Sequence, residues 1–129
     1  MDTVSIRIPA SPQFLGVLRL VAAGLAARLK FTLEDIEDLK IAVDELSAYL
    51  TGAQGRDGDL EVRFTIAEER IEIEGKAVLR PGHKVRTELT EFSQMILETV
   101  ADSASLQQLD GTPTFTLTKS KKDTGAALS

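Results

Sequence analysis

The chain has 129 residues, with 15 Lys and Arg against 20 Asp and Glu, a formal net charge of −5. That length and balance suit one soluble globular domain and weigh against a nucleic-acid binder, which needs a basic surface to neutralise phosphates. There is no cysteine, which excludes a disulfide scaffold, a thiolate metal site and a cysteine nucleophile together.

The first residues, MDTVSIRIPA, lack a signal peptide's positive start and apolar block, and no apolar run reaches the length of a membrane span. A cytoplasmic protein without membrane contact is expected. Thr3 to Ile8 alternate, with Val4, Ile6 and Ile8 on one side, the pattern of a half-buried strand. Pro9 stops it. Ser11-Pro12 reads as an N-cap followed by proline at the first helical position. The helix predicted from there to Lys30 carries Phe14, Val17, Leu18, Val21, Leu25 and Leu29 as a broad apolar stripe, with small residues at Ala22, Ala23, Gly24, Ala26 and Ala27. A helix so apolar belongs to the core, with part of it open to use as a dimer face.

Phe31 to Leu50 is the best-specified stretch. Ile36, Leu39, Val43, Leu46 and Leu50 recur at alternating spacings of three and four, one buried face of a helix. Thr32 stands at the N-cap with Asp35 three places on, and Glu34, Asp35, Glu37 and Asp38 crowd the first turns, where the helix dipole favours negative charge. Gly52 is placed to close the helix. A second face runs through Asp38, Ala42, Glu45 and Tyr49.

A turn-rich loop from Thr51 to Asp59 precedes two alternating segments, Leu60 to Ala67 and the stretch around Ile71 and Ile73, joined through AEER as a hairpin. Leu79 to Glu88 reads as loop. Leu89 to Ala101 returns to helical spacing through Phe92, Ile96 and Val100, capped by Thr90 or Thr87. Leu106 to Leu109 and Pro113 to Thr118 read as strands about an Asp110-Gly111 turn. The order β-α-α-β-β-α-β-β predicts an α+β fold, a two-layer sandwich of a mixed β-sheet covered on one face by helices. One domain is expected over residues 1–119, with a disordered tail over 120–129.

Beyond this order, particular residues resemble a known family. Ile8-Pro9-Ala10 ending the first strand, Leu18-Arg19 in the first helix, and Ile36-Glu37-Asp38-Leu39 running on to Ala42-Val43-Asp44-Glu45 in the second are similar to the N-terminal half of the anti-sigma-factor serine kinases. These are a bacterial branch of the histidine-kinase-like (GHKL) ATPase superfamily. Leu97-Glu98-Thr99 and Thr116-Leu117-Thr118-Lys119 echo the family's last helix and strand more loosely. The resemblance implies a histidine-kinase-like sandwich, usually dimeric, that binds a sigma factor and phosphorylates a serine of an antagonist protein with ATP and Mg²⁺.

The family's nucleotide motifs are altered here. Its Glu-x-x-x-Asn box keeps Glu45, but Tyr49 stands where the Mg²⁺-ligating Asn belongs, and a phenol is a poor substitute for a hard amide oxygen. Ala77 occupies the position of the adenine-reading Asp, and Leu79 that of the following glycine. Thr90-Glu91-Phe92-Ser93 replaces the glycine-rich segment whose bare amides hold phosphates, and Glu91 would repel them. The segment corresponding to the lid is short, and Gly52, Gly55 and Gly58 lack the Lys-Ser/Thr ending of a P-loop.

Glu45 is therefore expected to be a helix-surface glutamate, and a catalytic base only if the kinase activity persists. Tyr49 is expected to fill the space of the lost nucleotide, and His83, without a partner ligand, to be an exposed loop residue. The predicted function is an anti-sigma-factor-like regulator that has lost ATP binding, needs no cofactor or metal, and acts by contact with a sigma factor or its antagonist, as a homodimer. The alternative is a divergent ATP- and Mg²⁺-dependent protein serine kinase.

Overall fold

A computed structural model describes residues 2–121. The elements are β1 (Asp2–Pro9), α1 (Leu15–Arg28), α2 (Leu33–Thr51), β2 (Gly58–Ile66), β3 (Arg70–Leu79), α3 (Glu91–Val100), β4 (Ser103–Leu109) and β5 (Thr112–Ser120). The five strands form one sheet in the order β1-β2-β3-β5-β4, with the helices on one face, so the expected α+β sandwich is what the chain builds.

Every strand pair is antiparallel, whereas a mixed sheet was expected. The topology explains the difference. Two helices separate β1 from β2, so the chain reverses three times and β2 returns antiparallel to β1. The single helix α3 makes β4 run in the same sense as β3, but β5 inserts between them and removes the parallel contact.

The covered face of the sheet presents Leu60, Val62, Phe64, Ile71, Ile73, Phe115 and Leu117, all essentially inaccessible. Against them lie Leu18 and Ala22 of α1 and Leu39, Val43, Leu46 and Leu50 of α2. Gly75 pairs with Phe115 across β3 and β5, and a Cβ there would run into the Phe115 ring. The glycine lets the aromatic lie across the strand. The opposite face is polar, laced by ion pairs such as Arg7 with Asp59 and Glu61 and Arg63 with Glu74. These exposed pairs favour solubility more than stability.

Several boundaries move from those predicted. Ser11-Pro12 opens a short 3₁₀ turn, Pro12–Phe14, and α1 begins only at Leu15. Its buried residues are Leu15, Leu18, Ala22 and Ala26, while Val17, read into the apolar stripe, is 42% exposed. Lys30, at φ 62, makes the turn into α2. The Asp110-Gly111 turn has both residues at positive φ, 52 and 79, as a tight hairpin with right-handed strand twist requires. β5 continues through Lys119 and Ser120, which were assigned to the end of the domain and the tail. Backbone pairing of Ile71 with Lys119 and Arg70 with Ser120 holds that end in the sheet. Most of the predicted tail, residues 122–129, lies outside the described residues. No helix among the described residues is long and apolar enough to cross a membrane.

Candidate functional site

α2 forms as its sequence dictates. The Thr32 hydroxyl accepts a hydrogen bond from the Asp35 amide at 3.1 Å, Glu34 and Asp35 occupy the first turn, and Gly52 closes the helix at φ 67. Burying Leu39, Val43, Leu46 and Leu50 on the sheet turns the second face, Asp38, Glu45 and Tyr49, toward α3 and β5. α3 begins at a Thr90 N-cap whose hydroxyl accepts from the Ser93 amide at 3.0 Å. It runs antiparallel to α2: its start meets Tyr49, and beyond its end Asp102 binds Ser120, next to the Lys119 that pairs with Asp38.

The two helices meet in a closed set of hydrogen bonds. The Ser93 hydroxyl donates to Glu45 Oε2 at 2.6 Å. A hydroxyl has one proton, so Ser93 must accept its other two bonds, from the Tyr49 phenol at 2.7 Å and the Thr90 hydroxyl at 3.1 Å. The Thr90 amide donates to the Tyr49 oxygen at 3.1 Å. Two amides at the start of α3 are thus engaged within the protein, that of Thr90 by Tyr49 and that of Ser93 by Thr90.

The other predicted positions lie apart from this cluster or at its margin. Glu91 is exposed in the first turn of α3. Ala77 is buried in β3, opposite Leu60, and forms the floor of an open cavity of about 570 Å³ under the 80–85 loop. β3 and β5 cease to pair beyond Lys76 and Thr114, which opens that space. His83 is exposed on its rim. Ala42, on the second face of α2, is wholly buried.

Two contributors had no role in the sequence reading. Arg56 folds back beneath the end of α2, donating to the Leu50 carbonyl at 2.9 Å and the Tyr49 carbonyl at 3.4 Å. It satisfies helix-end carbonyls and complements the dipole. Ser93 was noted only as a residue where a glycine should be; its spacing of three from Thr90 was the one available sign that it joins the cap. On the far side of α2, Asp44 forms an ion pair with Arg19 of α1 at 2.9 Å. Partial burial raises the Asp44 carboxyl above its ordinary value, outweighing Arg19 and Lys40, and Glu45 pushes the same way.

An antiparallel sheet under a helical hairpin and a third helix, with Glu45 aimed at the start of α3, defines a histidine-kinase-like ATPase sandwich. No family model matches the chain. Among individual proteins it is similar to the serine-protein kinase RsbW of Bacillus pumilus, 41% identical over 78 residues, covering 57% of this chain and 48% of that protein. RsbW of Bacillus subtilis is 35% identical over 75 residues, covering 56% of this chain and 47% of its own. The chain thus spans about half the length of the curated relatives it matches in this way. An RsbW of Bacillus licheniformis aligns far more completely, 31% identical over 140 positions that cover 92% of this chain and 85% of the relative. The chain belongs to the serine-protein kinase RsbW family.

Proposed function

We propose that this protein is an anti-sigma-factor-like regulator that has lost ATP binding and acts by protein–protein contact in a sigma-factor partner-switching system. Its partner in this reading is a sigma factor or the antagonist of an anti-sigma factor, and it works as a cytoplasmic homodimer. The observation that carries the loss of nucleotide is the bonded closure between α2 and α3, in which Glu45, Tyr49, Thr90 and Ser93 are one another's partners.

Mg²⁺ and ATP do not fit this arrangement. The phenol at position 49 is tied to Ser93 and to the Thr90 amide, and offers no hard amide oxygen for octahedral coordination. Two amides at the start of α3, those of Thr90 and Ser93, are taken by Tyr49 and Thr90, and Glu91 adds negative charge there. Ala77 supplies no carboxylate for an adenine amino group. Glu45, the one retained motif residue, accepts a hydrogen bond from Ser93 of the same chain.

Calorimetric titration of the purified protein with ATP and Mg²⁺ tests this directly. No heat of binding is expected up to physiological ATP. A micromolar dissociation constant would overturn the reading in favour of a divergent serine kinase with Glu45 as its base.

A further inference from the structure

The outward side of the α2–α3 pair does not follow from the closed cluster beneath it. α3 buries Ser93, Leu97 and Val100 and leaves Phe92 70% and Met95 65% exposed. At helical spacing Phe92 lies on the side of α3 toward α2, while Gln94 and Glu98, on the other side, line a cavity with Asp102 and Ser103 beside β4. Met95 crowns the helix between them. Ile41, 44% exposed, lies one turn before Glu45 on the α3 side of α2. Because the helices run antiparallel, Ile41, Phe92 and Met95 border one shallow groove, with half-buried Ile96 in its floor.

The groove is strongly acidic. Of the six carboxylates of α2, Asp35 and Asp38 meet Lys119 and Asp44 meets Arg19; the others are Glu34, Glu37 and Glu45, and α3 adds Glu91 and has no basic residue. Lys40, the single base of α2, pairs with Glu37 at 3.2 Å and lines a hollow with Arg19 and Leu20 of α1. Glu37 and Glu91 stand at the groove's edges. An aromatic and a methionine exposed within a carboxylate rim have the makeup of a contact core with a charged border.

We propose that this groove docks a basic amphipathic helix of a protein partner, its apolar stripe on Phe92, Met95 and Ile41 and its lysines or arginines against the surrounding carboxylates. The charge of the two helices selects that occupant, since an acidic segment or a second copy of the same face would be repelled. The inference rests on the protein-contact reading above and names the chemistry of the contact.

The test uses the full chain and a fluorescein-labelled model helix of leucine and lysine, followed by anisotropy, beside a scrambled peptide of equal charge. Saturable binding of the helix that weakens with salt and exceeds that of the scrambled peptide is expected. Phe92→Ser with Met95→Ser should weaken it on the order of tenfold or more, with the melting temperature nearly unchanged because both side chains are exposed. Glu37→Lys with Glu91→Lys should weaken it too, and amide chemical shifts should move along α2 and α3. Equal binding of both peptides, indifference to the Phe92 and Met95 changes, or shifts confined to β1 and α1 would overturn the proposal. So would dissociation of a dimer by Phe92→Ser, which would give the face to a second copy. The nucleotide titration is independent: absent ATP binding with an inert groove removes only the groove, and tight ATP binding removes only the lost-nucleotide reading.

Discussion

Tyr49 holds two helices together through one oxygen, which makes it the most consequential single residue of the candidate site. Its ring is only half-buried, so its contribution lies as much in hydrogen bonds as in packing. Tyr49→Phe keeps the ring but leaves the Thr90 amide without this acceptor and Ser93 without one of its donors. A loss of about 1–2 kcal/mol is expected from chemical denaturation. Tyr49→Asn removes the ring as well and should cost about 1–3 kcal/mol. It restores the family's residue at the metal position, yet no ATP- and Mg²⁺-dependent rise in melting temperature is expected, since Ala77, Glu91 and the engaged amides remain. A clear thermal shift in that variant would show that the side chain alone closes the site.

Asp44 offers a second test at the same scale, through pH. Its carboxyl is raised in the folded state, chiefly by partial burial. The folded protein therefore holds this proton more tightly than the unfolded chain does. The contribution to stability is fully present below the ordinary value of 3.8 and is lost as pH rises through the raised one. Asp44→Asn removes that titration. The difference in denaturation midpoint, variant minus wild type, should grow as pH rises across this window and then level off. A difference that stays flat with pH would mean that Asp44 titrates alike in both states. The ion pair lost with Arg19 takes a little from that rise, because it forms only with ionised Asp44 and both side chains are close to half exposed.

At the scale of elements, α2 was legible almost residue for residue because cap, dipole, period and stop agree. α3 was not. Its apolar residues surround most of the helix, so the spacing Phe92, Ile96, Val100 fitted a period as well as the true inward set of Ser93, Leu97 and Val100. Ser93 faces inward because its hydroxyl meets Glu45 and Tyr49 of α2, a tertiary reason that no local pattern contains. Lys119 is the plainest case. In sequence it begins a polar, lysine-rich end; in the fold β5 carries it under α2, between Asp35 and Asp38 at 3.6 Å each. Its side chain is 8% exposed and that of Asp35 is fully buried. Lys119→Ala takes the cation from a buried Asp35 and a partly exposed Asp38 and should cost about 3 kcal/mol. If urea denaturation shows a loss within the range of a surface substitution, this pair does not tie β5 to α2.

For the whole molecule, the open question is how an 8-residue edge strand and an apolar first helix are covered. β1 is an outer strand of the sheet, and α1 beside it exposes Leu20 at 75% and Val17 at 42%. With Gly16 and Ala23 they border a shallow hollow on the side of the helix layer away from α3. Small residues flanking exposed aliphatic ones permit close approach of a second helix, and an unpaired edge strand invites a second strand. Self-association through β1 and α1 is therefore expected, on the face opposite the acidic groove. Leu20 is the residue to change, since it is exposed and a charge there leaves the core intact. Sedimentation equilibrium should find a dimer in the high micromolar range, and Leu20→Glu should convert it to monomer without altering the melting temperature of the dilute protein. Phe92→Ser should leave the dimer untouched, because it lies on the other face. A wild-type chain that stays monomeric at those concentrations would end the idea. A dimer indifferent to Leu20→Glu would move the interface off α1.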